Sequence, residues 1–191
     1  MADQEYKKNL RRQVRAKIAG LSEEYIASSD AGIYSVLTSL PEFVRAPKVF
    51  AYFSVGREVD THKIIELSFE LGKAVALPIS MADGIMEFAE IEPGGAAMAA
   101  GMLRIPQPAD DARRLKPESD DLILVPALCY DKDNYRLGQG GGYYDRFLST
   151  CPAFSLGLCR SELLMDMVPR EVHDLPSQCL ITERGKVKQY R

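Results

Sequence analysis

Apolar residues recur at Tyr6, Leu10, Val14, Ile18 and Leu21, three or four positions apart, the stripe of one amphipathic helix. Gly20 ends that helix. Ser22, with Glu23 and Glu24 behind it, offers a capped start for a second helix running towards Leu40-Pro41. Residues 48–53 (KVFAYF) are aromatic and branched and predict a strand closed by Gly56. Asp60 or Thr61 caps a third helix through Leu71, with Gly72 as its stop. Residues 74–79 form a near-continuous apolar run, as in a strand covered on both faces, and residues 86–91 predict another strand. Residues 92–119 read as loop, with Gly94, Gly95, Gly101 and four prolines. Residues 122–126 (LILVP) give the clearest buried strand; a glycine loop, a helix over 142–149 and a strand over 154–158 follow. Strands alternating with helices imply crossover connections. The expected fold is α/β, a single three-layer domain over residues 1–191 with a largely parallel sheet and helices on both faces.

Composition sharpens this only a little. In 191 residues, 46% are hydrophobic and 27% charged, which excludes a disordered or low-complexity chain. No apolar run approaches the roughly 20 residues of a membrane helix, and no apolar stretch follows the first charges as in a secretory signal. A soluble, cytoplasmic protein without a membrane partner is expected. Cys129, Cys151, Cys159 and Cys179 form no CxxC pair and read as reduced, buried or half-buried thiols. A net charge of −3 argues against a nucleic-acid partner. The first twenty residues nevertheless hold six basic side chains against two acidic ones, a local cationic helix suited to a small anionic ligand. The sequence leaves the oligomeric state open and is compatible with a monomer.

The candidate chemistry concentrates in residues 131–146, DKDNYRLGQGGGYYDR, where four of the chain's 14 glycines fall within positions 138–142. A loop leaving the carboxyl end of a buried strand is where α/β sheets bind ligands. Glycines there admit phosphate oxygens to backbone N–H groups, and the following helix adds its positive end. A plain tight turn would use glycines too. Three common motifs are excluded: no GK[ST] follows a GxxxxG spacing, the sixth position from Gly138 is Tyr143, and Tyr135 and Arg136 stand where a calcium loop needs a ligand and a glycine.

RLGQGGGYYDRFL resembles the signature of the 5-formyltetrahydrofolate cyclo-ligase family, close to RLGRGxGYYDR. Further segments agree in order: KKNLR at 7–11, YFSVGREVDTHKII at 52–65, RIPQP at 104–108 and VHDLP at 172–176. The resemblance spans residues 7 to about 182. It implies an ATP- and magnesium-dependent closure of 5-formyltetrahydrofolate to the 5,10-methenyl form, with ADP and phosphate released. The formyl oxygen would attack the γ-phosphate, N10 would close the ring, and the protein would act by positioning and charge neutralisation, with no certain catalytic residue.

By the same resemblance Lys7 and Arg11, one helical turn apart, bind ATP, together with Arg136, Leu137, Gly138, Gln139, Gly140, Gly141, Gly142, Tyr143 and Tyr144. Phe53 and Glu58 fall at the reduced-folate site with Gln139, Gly140, Gly141, Gly142 and Tyr143; a carboxylate suits a pterin because it accepts two parallel N–H donors. Asp145 and Asp174 are the implied Mg²⁺ ligands. Lys8, Arg12, Arg15 and Lys17 read mainly as a solvated basic face, and His62 as a surface residue. Two departures stand out. Gln139 replaces the usual arginine of RLGRG, removing a cation near the phosphates, and Leu103 stands where a tryptophan is common. The alternatives are a non-catalytic nucleotide- or folate-binding paralogue and a sugar-phosphate enzyme on a related scaffold.

Overall fold

The computed structural model describes residues 2–94, 98–100 and 106–189. The chain forms α1 (Ala2–Gly20), α2 (Glu23–Thr38) and a short α3 (Pro41–Arg45) before β1 (Lys48–Phe50). α4 (His62–Glu70) crosses to β2 (Ala74–Ser80), which turns back as β3 (Met86–Ile91). The strands β4 (Met98–Ala100), β5 (Pro106–Pro108) and β6 (Arg114–Leu115) precede β7 (Leu122–Val125). A hairpin of β8 (Cys129–Asp131) and β9 (Arg136–Leu137) leads to α5 (Tyr143–Leu148) and β10 (Phe154–Leu158). β11 (Leu164–Met165), β12 (Cys179–Thr182) and β13 (Gly185–Gln189) complete the described chain.

The main sheet has the order β13-β12-β10-β7-β1-β2-β3-β6. Its centre, β12 to β2, is parallel, and β13, β3 and β6 are antiparallel flanks. The period-two alternation assigns the faces. Val49, Val75, Leu122, Leu124, Leu156 and Ile181 pack against Ile33 and Leu37 of α2, Phe43 of α3 and Ile64 of α4. On the other face, Phe50, Ala76 and Ile123 meet Tyr144, Phe147 and Leu148 of α5. Beside that layer, α1 lays Leu10 and Val14 on Cys129, Tyr130 and Leu137 of a small sheet ordered β11-β8-β9. The expected mixed α/β architecture with a mostly parallel sheet therefore holds. No helix among the described residues is long and apolar enough to cross a membrane.

Several expected boundaries shift for identifiable reasons. α2 stops at Thr38, and Pro41 starts a new helix because its fixed φ suits a first turn. Within 92–119 the described residues include three short strands, which pair by backbone and carry little sequence signal. The glycine loop follows not β7 but the β8–β9 hairpin, whose tip is Asn134 at φ 62°. The strand expected over 48–53 ends at Phe50. There the chain leaves to close a loop in which Ser54 and Thr61 exchange side chain-to-backbone hydrogen bonds of 3.1 Å, and Thr61 donates to the Tyr52 carbonyl at 2.6 Å.

That early departure shapes the molecule. β2 runs on past its partner, so Pro78 can sit mid-strand: the Ala76 carbonyl faces β1, accepting from Ala51 N–H at 2.9 Å. Two residues later Pro78 points the same way, where no neighbour remains to need an N–H. A cleft opens between the parted strands, at their carboxyl ends.

Gly157 of β10 lies under Tyr130, whose hydroxyl donates to the Val125 carbonyl at 2.7 Å. A Cβ there would come within 2.6 Å of the buried ring. Gly157→Ala is therefore expected to cost about 1–3 kcal/mol, read as a lowered urea midpoint with unchanged slope. An unchanged midpoint would mean that the ring can slide.

Candidate active site

The cleft holds a cavity of about 960 Å³, and every residue the resemblance assigns to the ATP, folate or metal sites lines it. Lys7 and Arg11 come from α1, Phe53 and Glu58 from the loop after β1, and Arg136 to Gly142 from β9 and the glycine loop. Tyr143, Tyr144 and Asp145 come from the start of α5, and Asp174 from the segment before β12.

The glycine loop is shaped by backbone requirements. Gly140 (φ +107°) and Gly142 (φ +66°) occupy the left-handed region, and Gly142 caps α5 from there. Arg11 Nε donates to the Gly138 carbonyl at 2.9 Å, and its guanidinium would lie 3.4 Å from a Cβ at Gly140. The helix and the loop thus meet closely at a residue that has no side chain.

Lys7, one turn before, has a different duty. Only 9% exposed, it places its ammonium 2.7 Å from Asp174 and 3.3 Å from Glu171. Burial alone would raise the Asp174 carboxyl, but the Lys7 ammonium, the Glu171 N–H and His173 outweigh it and hold the group below its ordinary value. Arg136, 4% exposed in its side chain, pairs with Asp145 and donates to the Leu175 carbonyl at 2.8 Å. The implied phosphate cations and the implied metal carboxylates are therefore matched with one another.

Hard oxygen donors suit magnesium. Among the described residues, Glu171, His173 and Asp174 bring ligand atoms within 4.8 Å of one another, and Asp145 is not in that group. Asp145 instead touches the same segment through the Leu175 N–H, at 3.5 Å.

Glu58 sits in a tight turn, its Oε2 accepting from Val55 N–H at 3.0 Å. Burial pushes its carboxyl above the ordinary glutamate value, with the Val55 N–H opposing. Phe53 packs partly on the core and edge-on to the His62 ring, centroids 4.4 Å apart. His62 is accordingly half-buried, with Nε2 3.0 Å from the Ser54 carbonyl, and the surface reading is corrected. Tyr143 donates to the Met81 carbonyl at 3.1 Å. The Tyr144 hydroxyl is buried without a hydrogen-bond partner among the described residues, which leaves it to a ligand or water.

The basic face of α1 is exposed, as its spacing suggested, yet two of its cations find partners. Arg15 donates to the Gln139 side chain at 2.6 Å, and Lys17 donates to the Glu162 carbonyl. Lys8 is exposed at the cavity rim. Residues missed from the sequence include Tyr52, Pro78, Ser80, Glu171 and His173, all lining the cavity. Pro106 and Gln107 of the RIPQP segment line it too; Leu103, Arg104 and Ile105 lie outside the described residues.

A sequence profile of the 5-formyltetrahydrofolate cyclo-ligase family matches residues 3–183. The chain belongs to the 5-formyltetrahydrofolate cyclo-ligase family. It is 35% identical to a 5-formyltetrahydrofolate cyclo-ligase of Mycolicibacterium smegmatis over 73% of this chain and 75% of that one. With the Escherichia coli cyclo-ligase it shares 30% over 76% and 83%. The solved structure of a 5,10-methenyltetrahydrofolate synthetase from Aquifex aeolicus superposes with a TM-score of 0.82 at 31% identity, covering 97% of this chain and 94% of that one.

Glu58 titrates in a way that opposes folding. A carboxyl raised on folding contributes stability below its unfolded value and loses it as pH rises through the raised one. Glu58→Gln is therefore expected to raise the thermal midpoint of this cyclo-ligase family member at neutral pH by a few degrees, about 2–4 °C per kcal/mol. The gain should vanish at about pH 4, where the glutamate is itself protonated. Equal gains at both pH values would deny the effect of the charge.

Proposed function

We propose that this chain closes 5-formyltetrahydrofolate to 5,10-methenyltetrahydrofolate at the expense of ATP, and that residues 1–191 act as one unit in the cytoplasm. The observation that carries the reading is the meeting, in one cavity, of a glycine loop, two cations of α1 and a half-buried glutamate. The first two suit a polyphosphate and the third a pterin.

In this reading Arg11, the loop N–H groups and the α5 N-terminus hold the phosphates, with Lys7 and Arg136 turning to them. Glu58 takes the pterin N–H pair and Phe53 its ring edge. The formyl oxygen displaces ADP from the γ-phosphorus. N10 then attacks the activated formyl carbon, phosphate departs with the formyl oxygen, and the N10 proton leaves with it. Phosphorylation converts a poor leaving group into a good one, so the protein's contribution is alignment and charge neutralisation. Asp145 and the Glu171–Asp174 carboxylates would hold magnesium, which supplies further neutralisation at the phosphates.

The test is a near-ultraviolet absorbance assay of the methenyl product with 5-formyltetrahydrofolate, ATP and Mg²⁺. A rise requiring both ATP and Mg²⁺ is expected. No rise, with ATP still raising the thermal midpoint, would instead identify a non-catalytic binding paralogue. Asp145→Asn is expected to cut turnover by about two orders of magnitude, and a normal Mg²⁺-dependent rate would remove its metal role.

Gln139 no longer means a missing charge in this picture, because Arg15 reaches it from α1 at 2.6 Å. Arg15→Ala is expected to raise the KM for ATP several-fold with kcat less affected. An unchanged KM would show that Arg15 takes no part at the phosphates.

A further inference from the structure

Arg160 follows β10 and is 1% exposed, the largest fully buried side chain described. A buried guanidinium is costly unless its charge and its N–H groups are all met. Here its charge and four of its five N–H donors are met by two elements, α2 and the loop after β1. From α2, Ser29 Oγ accepts from Nε at 2.9 Å and Asp30 Oδ1 from Nη2 at 2.6 Å. From the loop after β1, the Arg57 carbonyl accepts from Nη1 at 3.0 Å and the Glu58 carbonyl from Nη2 at 3.1 Å. Asp30 also accepts from Asp60 N–H at 3.3 Å, so the loop is held on both sides of Glu58.

We propose that Arg160 is a positioning residue for substrate: its planar fork fixes the backbone of residues 57–58, and through it the direction of the Glu58 carboxylate into the cavity. The inference rests on the reading of Glu58 as the pterin ligand. The physical case is one of rigidity. Glu58 stands in a turn whose tip, Gly56, is left-handed (φ +60°), and the turn's own restraints are the Val55–Glu58 backbone and side-chain hydrogen bonds. The loop around it is also held by the Ser54–Thr61 bonds and by Arg57, which donates to the Leu21 carbonyl at 2.6 Å and pairs with Glu23. Among the described residues, however, the polar groups of Glu58 itself meet only Val55 and Arg160. Freedom left to a positioning group matters, because small displacements weaken recognition. A fork that bonds two successive carbonyls removes that freedom. Lysine, a point donor, cannot bond both carbonyls and Asp30 in the same geometry.

The experiment is a double-mutant cycle on the full chain with Arg160→Lys and Glu58→Gln, read as Kd for 5-formyltetrahydrofolate and, separately, for a non-hydrolysable ATP analogue. Arg160→Lys is expected to weaken folate binding about tenfold and to leave the nucleotide Kd within about twofold. In the double variant, folate binding should be no weaker than with Glu58→Gln alone. Additive losses, equal losses for both ligands, or no folate loss would overturn the positioning role while leaving the Glu58 reading intact. Unchanged folate binding by Glu58→Gln alone would overturn the Glu58 reading, and the inference with it. Should Arg160→Lys not fold, Asp30→Asn keeps the guanidinium but removes its orienting carboxylate, and must give the same folate-selective loss. A loss of stability without that selectivity would show Arg160 to be structural only.

Discussion

Lys7 is buried against Asp174 and Glu171, the Arg136 side chain is buried against Asp145, and the half-buried Arg11 is held on a loop carbonyl. Much of the molecule's arrangement around the cavity follows from that matching, because a cation out of water needs a counter-charge or a fixed acceptor. α1 is tied to the segment before β12 through Lys7, and to the glycine loop through Arg11 and Arg15. α5 is tied to β9 by Arg136 and Asp145. Parts far apart in sequence become walls of one site by satisfying one another's charges.

The space those charges surround comes from the sheet. A parallel core must end its strands somewhere, and here β1 ends before β2 does, with Thr61 gathering the departing chain. Pro78 marks the place, since a proline facing a missing neighbour forfeits no hydrogen bond. The same departure sends Phe53 and Glu58 to the opening. The site thus arises at the carboxyl ends of the strands, where an α/β sheet offers backbone and loops instead of a packed face.

Much of this was legible in the sequence, and for physical reasons. Apolar periodicity marked α1, cap and stop residues marked α2 and α4, and apolar runs marked the buried strands, because helix ends and burial each leave a local pattern. The glycine loop was legible because left-handed φ at Gly140 and Gly142 restricts the residue type. The short strands β4, β5 and β6 were not, since backbone pairing alone writes little into side chains. Nor was the involvement of Arg15, Lys17 and Glu171: each depends on a partner more than a hundred positions away. Arg160 gave no signal at all, because a lone arginine after an apolar strand reads as a surface residue until α2 and the loop close over it.

The ion pairs also constrain what the cavity can accept. A purely anionic ligand that drew Lys7 and Arg136 to itself would leave the part-buried carboxylates of Asp174 and Asp145 with backbone N–H partners but no cation. The cost is part of the penalty for breaking a fully buried pair, which is about 3–5 kcal/mol. A ligand bringing its own cation avoids that cost, since the carboxylates exchange one positive partner for another as the lysine and arginine turn to the phosphates. A polyphosphate carrying a divalent ion is such a ligand, and neither component alone satisfies both halves of the exchange. The site's charges, neutral among themselves, thereby favour the two components together over either one.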